Sequence, residues 1–159
     1  MHLPNWASRT SVLRGLTVLF VVIAGLFGAI APANAAPTFT TELGQVQTLA
    51  NGAIICGGSL RVWASTNPDW GDQAILNVQS GPLAGISGGS SLTPICSVGV
   101  KVAWRNVTTG KTGEWNFVLV GGFYGSIQYA LFQPTGRGHV VTDVTTSSPN
   151  LPGHGEFNV

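Results

Sequence analysis

Charge is scarce in this chain of 159 residues: Asp, Glu, Lys and Arg together make up 8%, against about 25% in an ordinary soluble domain. That scarcity excludes a coiled coil, a charge-rich disordered chain and a basic nucleic-acid-binding tail. Cysteine is nearly absent too, two residues with no C-x-x-C spacing, so the sequence holds neither a self-sufficient zinc ligand set nor a thioredoxin-type redox pair. Sustained helical periodicity is missing from Ala36 onward, where no apolar 3.6-residue repeat lasts three turns. Plentiful instead are Gly, at 22 positions, and hydrophobic residues, at 44%. This composition suits a compact globule of short strands and tight turns.

The first stretch reads as a targeting signal. Arg9 and Arg14 precede an apolar run over 15–30, and Ala33 and Ala35 supply small side chains before a cleavage point. The pattern predicts a secretory signal over 1–35, cut after Ala35 or, one residue later, after Ala36, with a single domain over 36–159. Loss of Arg9 and Arg14 leaves five cations against six carboxylates, a net charge of −1 with His neutral. No basic stripe remains to exchange phosphate counterions, so nucleic acid is not an expected partner. Integral membrane association is not expected once the signal is removed. Both Cys56 and Cys96 fall in the exported part, where oxidising conditions predict a disulfide between them.

Period-two alternation organises the mature part. In 97–106, Val98, Val100, Val102 and Trp104 share one face, and Gly99, Lys101, Ala103 and Arg105 the other. A turn around Gly110 leads into 114–120, where Trp115, Phe117 and Leu119 line one face. Asn51-Gly52 suggests a tight type I′ hairpin between 45–50 and 53–56. Further strands are predicted at 59–65, 73–79, 126–132, 139–145 and 155–159, separated by Gly-, Pro- and Asn-rich turns. The expectation is an all-β fold: a two-sheet antiparallel sandwich of about eight or nine strands, immunoglobulin-like or jelly-roll-like in architecture. The Cys and Trp spacing does not fit an antibody-type domain, because Cys56 and Cys96 are too close in sequence and Trp63 has the wrong parity.

Groups able to handle protons are few. Gly85-Ile86-Ser87-Gly88-Gly89 matches the G-x-S-x-G elbow formally, but no helix-forming sequence follows Ser87. His139 and Asp143 share a strand face about 13 Å apart, beyond hydrogen-bond reach. His154 and Glu156 can join them only if the last strand pairs beside theirs. Asn67, Asp69 and Asp72 read as turn caps in preference to calcium ligands, and Asn106-Val107-Thr108 is a glycosylation sequon. No catalytic set, metal site or cofactor is therefore expected. The aromatic residues carry more promise: Trp63 lies opposite the apolar face of its strand, Trp70 sits in a polar loop, and Tyr124 follows Gly121-Gly122-Phe123. These three are the candidate ligand-binding residues, and Phe123 and Tyr124 together offer a loop-borne contact.

The sequence thus leads to a secreted or envelope-associated, non-catalytic β-sandwich acting by surface recognition or as a structural component. Its partner would be an extracellular protein or polysaccharide. A carbohydrate-binding module using Trp63, Trp70 and Tyr124 is the first alternative. A small secreted hydrolase using Ser87 or the His139 and His154 region is the second, and an outer-membrane β-barrel pore the third.

Overall fold

The computed structural model describes residues 35–86 and 95–159, so residues 1–34 of the expected 1–35 signal, and Ser87, Gly88 and Gly89 of the formal elbow, lie outside the described residues. Ala36–Val159 forms a compact unit of its own. It is all-β, as the alternation predicts: β1 (Phe39–Gly52), β2 (Cys56–Thr66), a 3-10 turn (Pro68–Trp70), β3 (Ala74–Ser80), β4 (Ala84–Gly85), β5 (Cys96–Asn106), β6 (Thr112–Gly122), β7 (Gly125–Ser126), β8 (Tyr129–Gln133), β9 (His139–Thr146), β10 (Asn150–Leu151) and β11 (Gly153–Asn158). No described helix is long and apolar enough to cross a membrane.

One curled antiparallel sheet runs in the order β11-β9-β5-β1-β2-β3-β8, with β6 paired along β5 and the short strands β4, β7 and β10 added at its margins. The curl follows from the length of β1. Its residues Phe39 to Ala50 pair with β2, while Asn51 and Gly52 pair with Ser97 and Cys96 of β5. A single strand therefore serves both halves of the sheet, where the sequence reading placed two separate sheets. The same pairing corrects the predicted Asn51-Gly52 hairpin. Those residues stay extended to reach β5, and the chain reverses over 53–55 before Cys56 pairs back with Ala50.

The inner faces of both halves enclose one apolar core. β1, β2 and β3 contribute Leu43, Val46, Leu60, Val62, Leu76 and Val78, and β5, β6, β9 and β11 contribute Val98, Val100, Val102, Trp104, Leu119, Val140, Val144 and Phe157. The predicted parity of 97–106 and 114–120 holds residue by residue, with the Val107–Lys111 turn closed by Gly110 at φ +78°. Trp104 spans the core, its indole N–H donating to Gln133 Oε1 of β8 at 3.1 Å. On the β6 side, Trp115, Phe117 and Tyr129 form a continuous stack, with centroids 4.2 and 5.0 Å apart. This stack joins β6 to β8 where no ladder does, and the Tyr129 hydroxyl accepts the Val120 N–H at 3.1 Å.

Cys56 and Cys96 form the predicted disulfide, with Cα atoms 6.4 Å apart across 40 residues of sequence. Its place explains its use: it opens both β2 and β5, beside the end of β1 where the sheet turns. Closing a loop of that length stabilises a fold by about 4 kcal/mol in the chain-entropy model.

Candidate functional site

The three candidate aromatics take three different environments. Trp63 lies on the outer face of β2, as its parity requires, yet it is only 9% exposed. Arg61, two residues earlier on the same face, lays its guanidinium 4.6 Å from the ring centroid. That guanidinium is held from the other side by Glu42 on β1, through Nε to Oε2 at 3.1 Å and a second contact from Nη2 to Oε1. The hydrogen bonds from Arg61 hold the Glu42 carboxyl below its ordinary value, and Glu42 in turn raises Arg61. The indole face that looks free in the sequence is thus covered by a clamped cation.

Trp70 closes the 3-10 turn, which Asn67 caps by accepting the Asp69 N–H at 2.8 Å. The Trp70 ring is half-buried, edge-on to Phe132 of β8 with centroids 5.3 Å apart. Its neighbour Phe132 pairs with Ile75 near the start of β3. Tyr124 lies at the other end of β3, in the loop between β6 and β7, where Ser126 accepts the Ser80 N–H through its hydroxyl at 2.9 Å. The seven residues of β3 separate the two regions by about 20 Å. Trp70 and Tyr124 therefore do not meet, and Trp63 stands between their levels, opposite Asn77 midway along β3.

Tyr124 is the open one, at 89% exposure, with Phe123 packed edge-on at 5.4 Å. Ile127, at 73%, continues the apolar tip. The loop is pinned at its base by three hydrogen bonds: Leu83 N–H to the Gly122 carbonyl at 2.8 Å, Ser80 N–H to Ser126 Oγ, and Gln79 Nε2 to the Ser126 carbonyl at 3.2 Å. Exposed aromatics on a tied-down turn lose little freedom when they meet a partner. Phe123, expected beside Tyr124 in a loop-borne contact, is joined by Ile127, which the sequence reading does not include. Their exposure depends on β7 adding only two residues to β6, a length that alternation does not reveal.

The condition set for the histidines is met: β11 pairs antiparallel with β9, placing His154 opposite Asp143. Nδ1 of His154 lies 2.5 Å from Asp143 Oδ1, and His139 Nε2 lies 3.2 Å from Glu156 Oε2. A histidine oriented by a carboxylate is half of a base-and-nucleophile arrangement. The outward positions of these two strands, however, carry His139, Val141, Asp143, Thr145, His154, Glu156 and Asn158, with neither Ser nor Cys among them. His154 and Asp143 are two-thirds exposed, so water reaches both freely. Among the described residues no group of three or more His, Cys, Asp or Glu side chains is placed to hold a metal ion.

Compared with known proteins, the chain matches no family model, no curated protein and no solved structure.

Proposed function

We propose that the protein is a secreted or envelope-associated, non-catalytic recognition module, a sandwich-like scaffold whose contact element is the Phe123-Tyr124 tip. The observation that carries this reading is the 89% exposure of Tyr124 on a turn whose base is hydrogen-bonded. A phenol ring left in water, edge-on to a second aromatic, offers both an apolar face and a hydroxyl to an extracellular protein or polysaccharide surface. The disulfide suits an oxidising compartment. A filled apolar interior favours a scaffold over a pore, which needs a polar lumen.

The carbohydrate reading rests chiefly on Tyr124 as the open platform, because Arg61 covers Trp63 and Trp70 is half-buried against Phe132. Retention on isolated cell-envelope fractions, cellulose and chitin tests both versions. Tyr124→Ala and Phe123→Ala should each cut retention on the binding matrix about tenfold or more while leaving the melting temperature unchanged. Retention only on cellulose or chitin selects the carbohydrate version. Equal retention of wild type and variants on every matrix removes the tip from the function.

A further inference from the structure

Ala36, the first residue of the compact unit, is held by a turn that lies far away in sequence. Its backbone nitrogen stands 3.2 Å from Asp69 Oδ2, and its carbonyl accepts from Asn67 Nδ2 at 2.8 Å. The same Asn67 nitrogen reaches Thr38 Oγ1 at 3.1 Å, and Asn67 Oδ1 accepts the Asp69 N–H. A full carboxylate is more than a neutral peptide N–H requires. Its position acquires a purpose once the Ala35–Ala36 bond is cut. Hydrolysis adds water across that bond, leaving a carboxylate on Ala35 and an ammonium on Ala36, so a neutral donor becomes a cation beside Asp69.

We propose that Asp69 and Asn67 form the seat of the amino terminus released between Ala35 and Ala36, the carboxylate taking the ammonium and the amide taking the Ala36 carbonyl. The proposal rests on the export reading and sharpens it. Cleavage one residue later would discard Ala36 with both contacts and leave the ring nitrogen of Pro37 as the terminus. Other charged groups around the turn are Asp72 on the same loop, Arg137, which lines a cavity of about 300 Å³ with Asn67 and Pro68, and the terminal carboxylate of Val159 in the same lining. Asp69 is the carboxylate in contact with the Ala36 nitrogen.

An α-amino group titrates near 8 in an unfolded chain, and an adjacent carboxylate raises that value in the folded one. From neutral pH up to about pH 8 stability from the pair is therefore present in full, and it is lost as pH rises through the higher folded value. The full chain is expressed with export, and the product is weighed intact, sequenced from its amino terminus and melted across pH. The expected product begins at Ala36. At pH 6–7 its melting temperature exceeds that of Asp69→Asn by about 2 °C, and the gap closes above pH 9. Asp72→Asn keeps the wild-type profile. A product that begins at Ala36 but shows no gap, or a gap that does not close in alkali, overturns the seat and leaves export standing. A product that begins at Pro37, or retains residues before Ala36, overturns the cleavage point itself.

Discussion

Asn106 is fully buried at the end of β5 and satisfies both ends of its amide. Nδ2 donates to the carbonyls of Thr135, Gly136 and Arg137 at 3.0–3.1 Å, while Oδ1 accepts from the N–H groups of Thr108 and Thr109 at 2.9 and 3.0 Å. The side chain therefore stitches the 107–111 turn to the 135–137 segment. Asn106→Ala leaves these buried groups without partners and should cost about 2–4 kcal/mol, read as a lower urea midpoint with an unchanged slope. Asn106→Asp should cost more, because a carboxylate then faces three carbonyl oxygens. The same geometry bears on the sequon: the nitrogen that would carry a glycan is enclosed in the folded chain. The tripeptide Asn-Val-Thr is visible in the sequence, but the carbonyls that claim its amide come from about 30 residues downstream. Trp63 teaches the same lesson. Its outward direction follows from strand parity, whereas the Arg61 guanidinium over its ring is held by Glu42 from the neighbouring strand, a contact that alternation does not reveal.

Elements were legible where alternation was uninterrupted, as in β5 and β6, and less so where pairing partners decide the outcome. β1 reaches back to Phe39, through the mixed stretch Phe-Thr-Thr-Glu, because β2 offers a ladder to it. β10 is only two residues, Asn150 and Leu151, added to β1 before Pro152 separates it from β11. The packing of β11 over β1 depends on a missing side chain. A Cβ at Gly155 would lie 2.5 Å from Leu43 Cα and 2.9 Å from Leu43 Cβ. Leu43 is fully buried and its backbone belongs to β1, so neither atom has room to retreat. Gly155→Val should therefore lift β11 from the core and destabilise by about 1–3 kcal/mol or more, with faster amide exchange in 153–158. Loss of the nearby His154–Asp143 contact in His154→Ala should have little effect on either reading, since that pair is exposed on the opposite face.

At the level of the whole molecule, a chain with so few charges has spent most of its described carboxylates on the outer surface of its sheet. Glu42 pairs with Arg61, Glu114 with Lys101, Asp143 with His154 and Glu156 with His139, each an exposed pair. Glu42 is lowered chiefly by hydrogen bonds from Arg61, and Glu114 by hydrogen bonds from Lys101 and then Asn116. A carboxyl lowered in the folded state takes up its proton sooner in the unfolded chain. Its stabilisation is thus present above the ordinary value of 4.5 and is lost as pH falls through the lower folded value. Exposed pairs contribute little each and are screened by salt. The melting temperature should therefore fall by only a few degrees on this account as pH drops below 4.5, less in Glu42→Gln or Glu114→Gln, and less still in 1 M NaCl. A steep loss of structure near pH 5 would contradict the account, since it requires a buried carboxylate or a buried neutral histidine, and the described core holds neither.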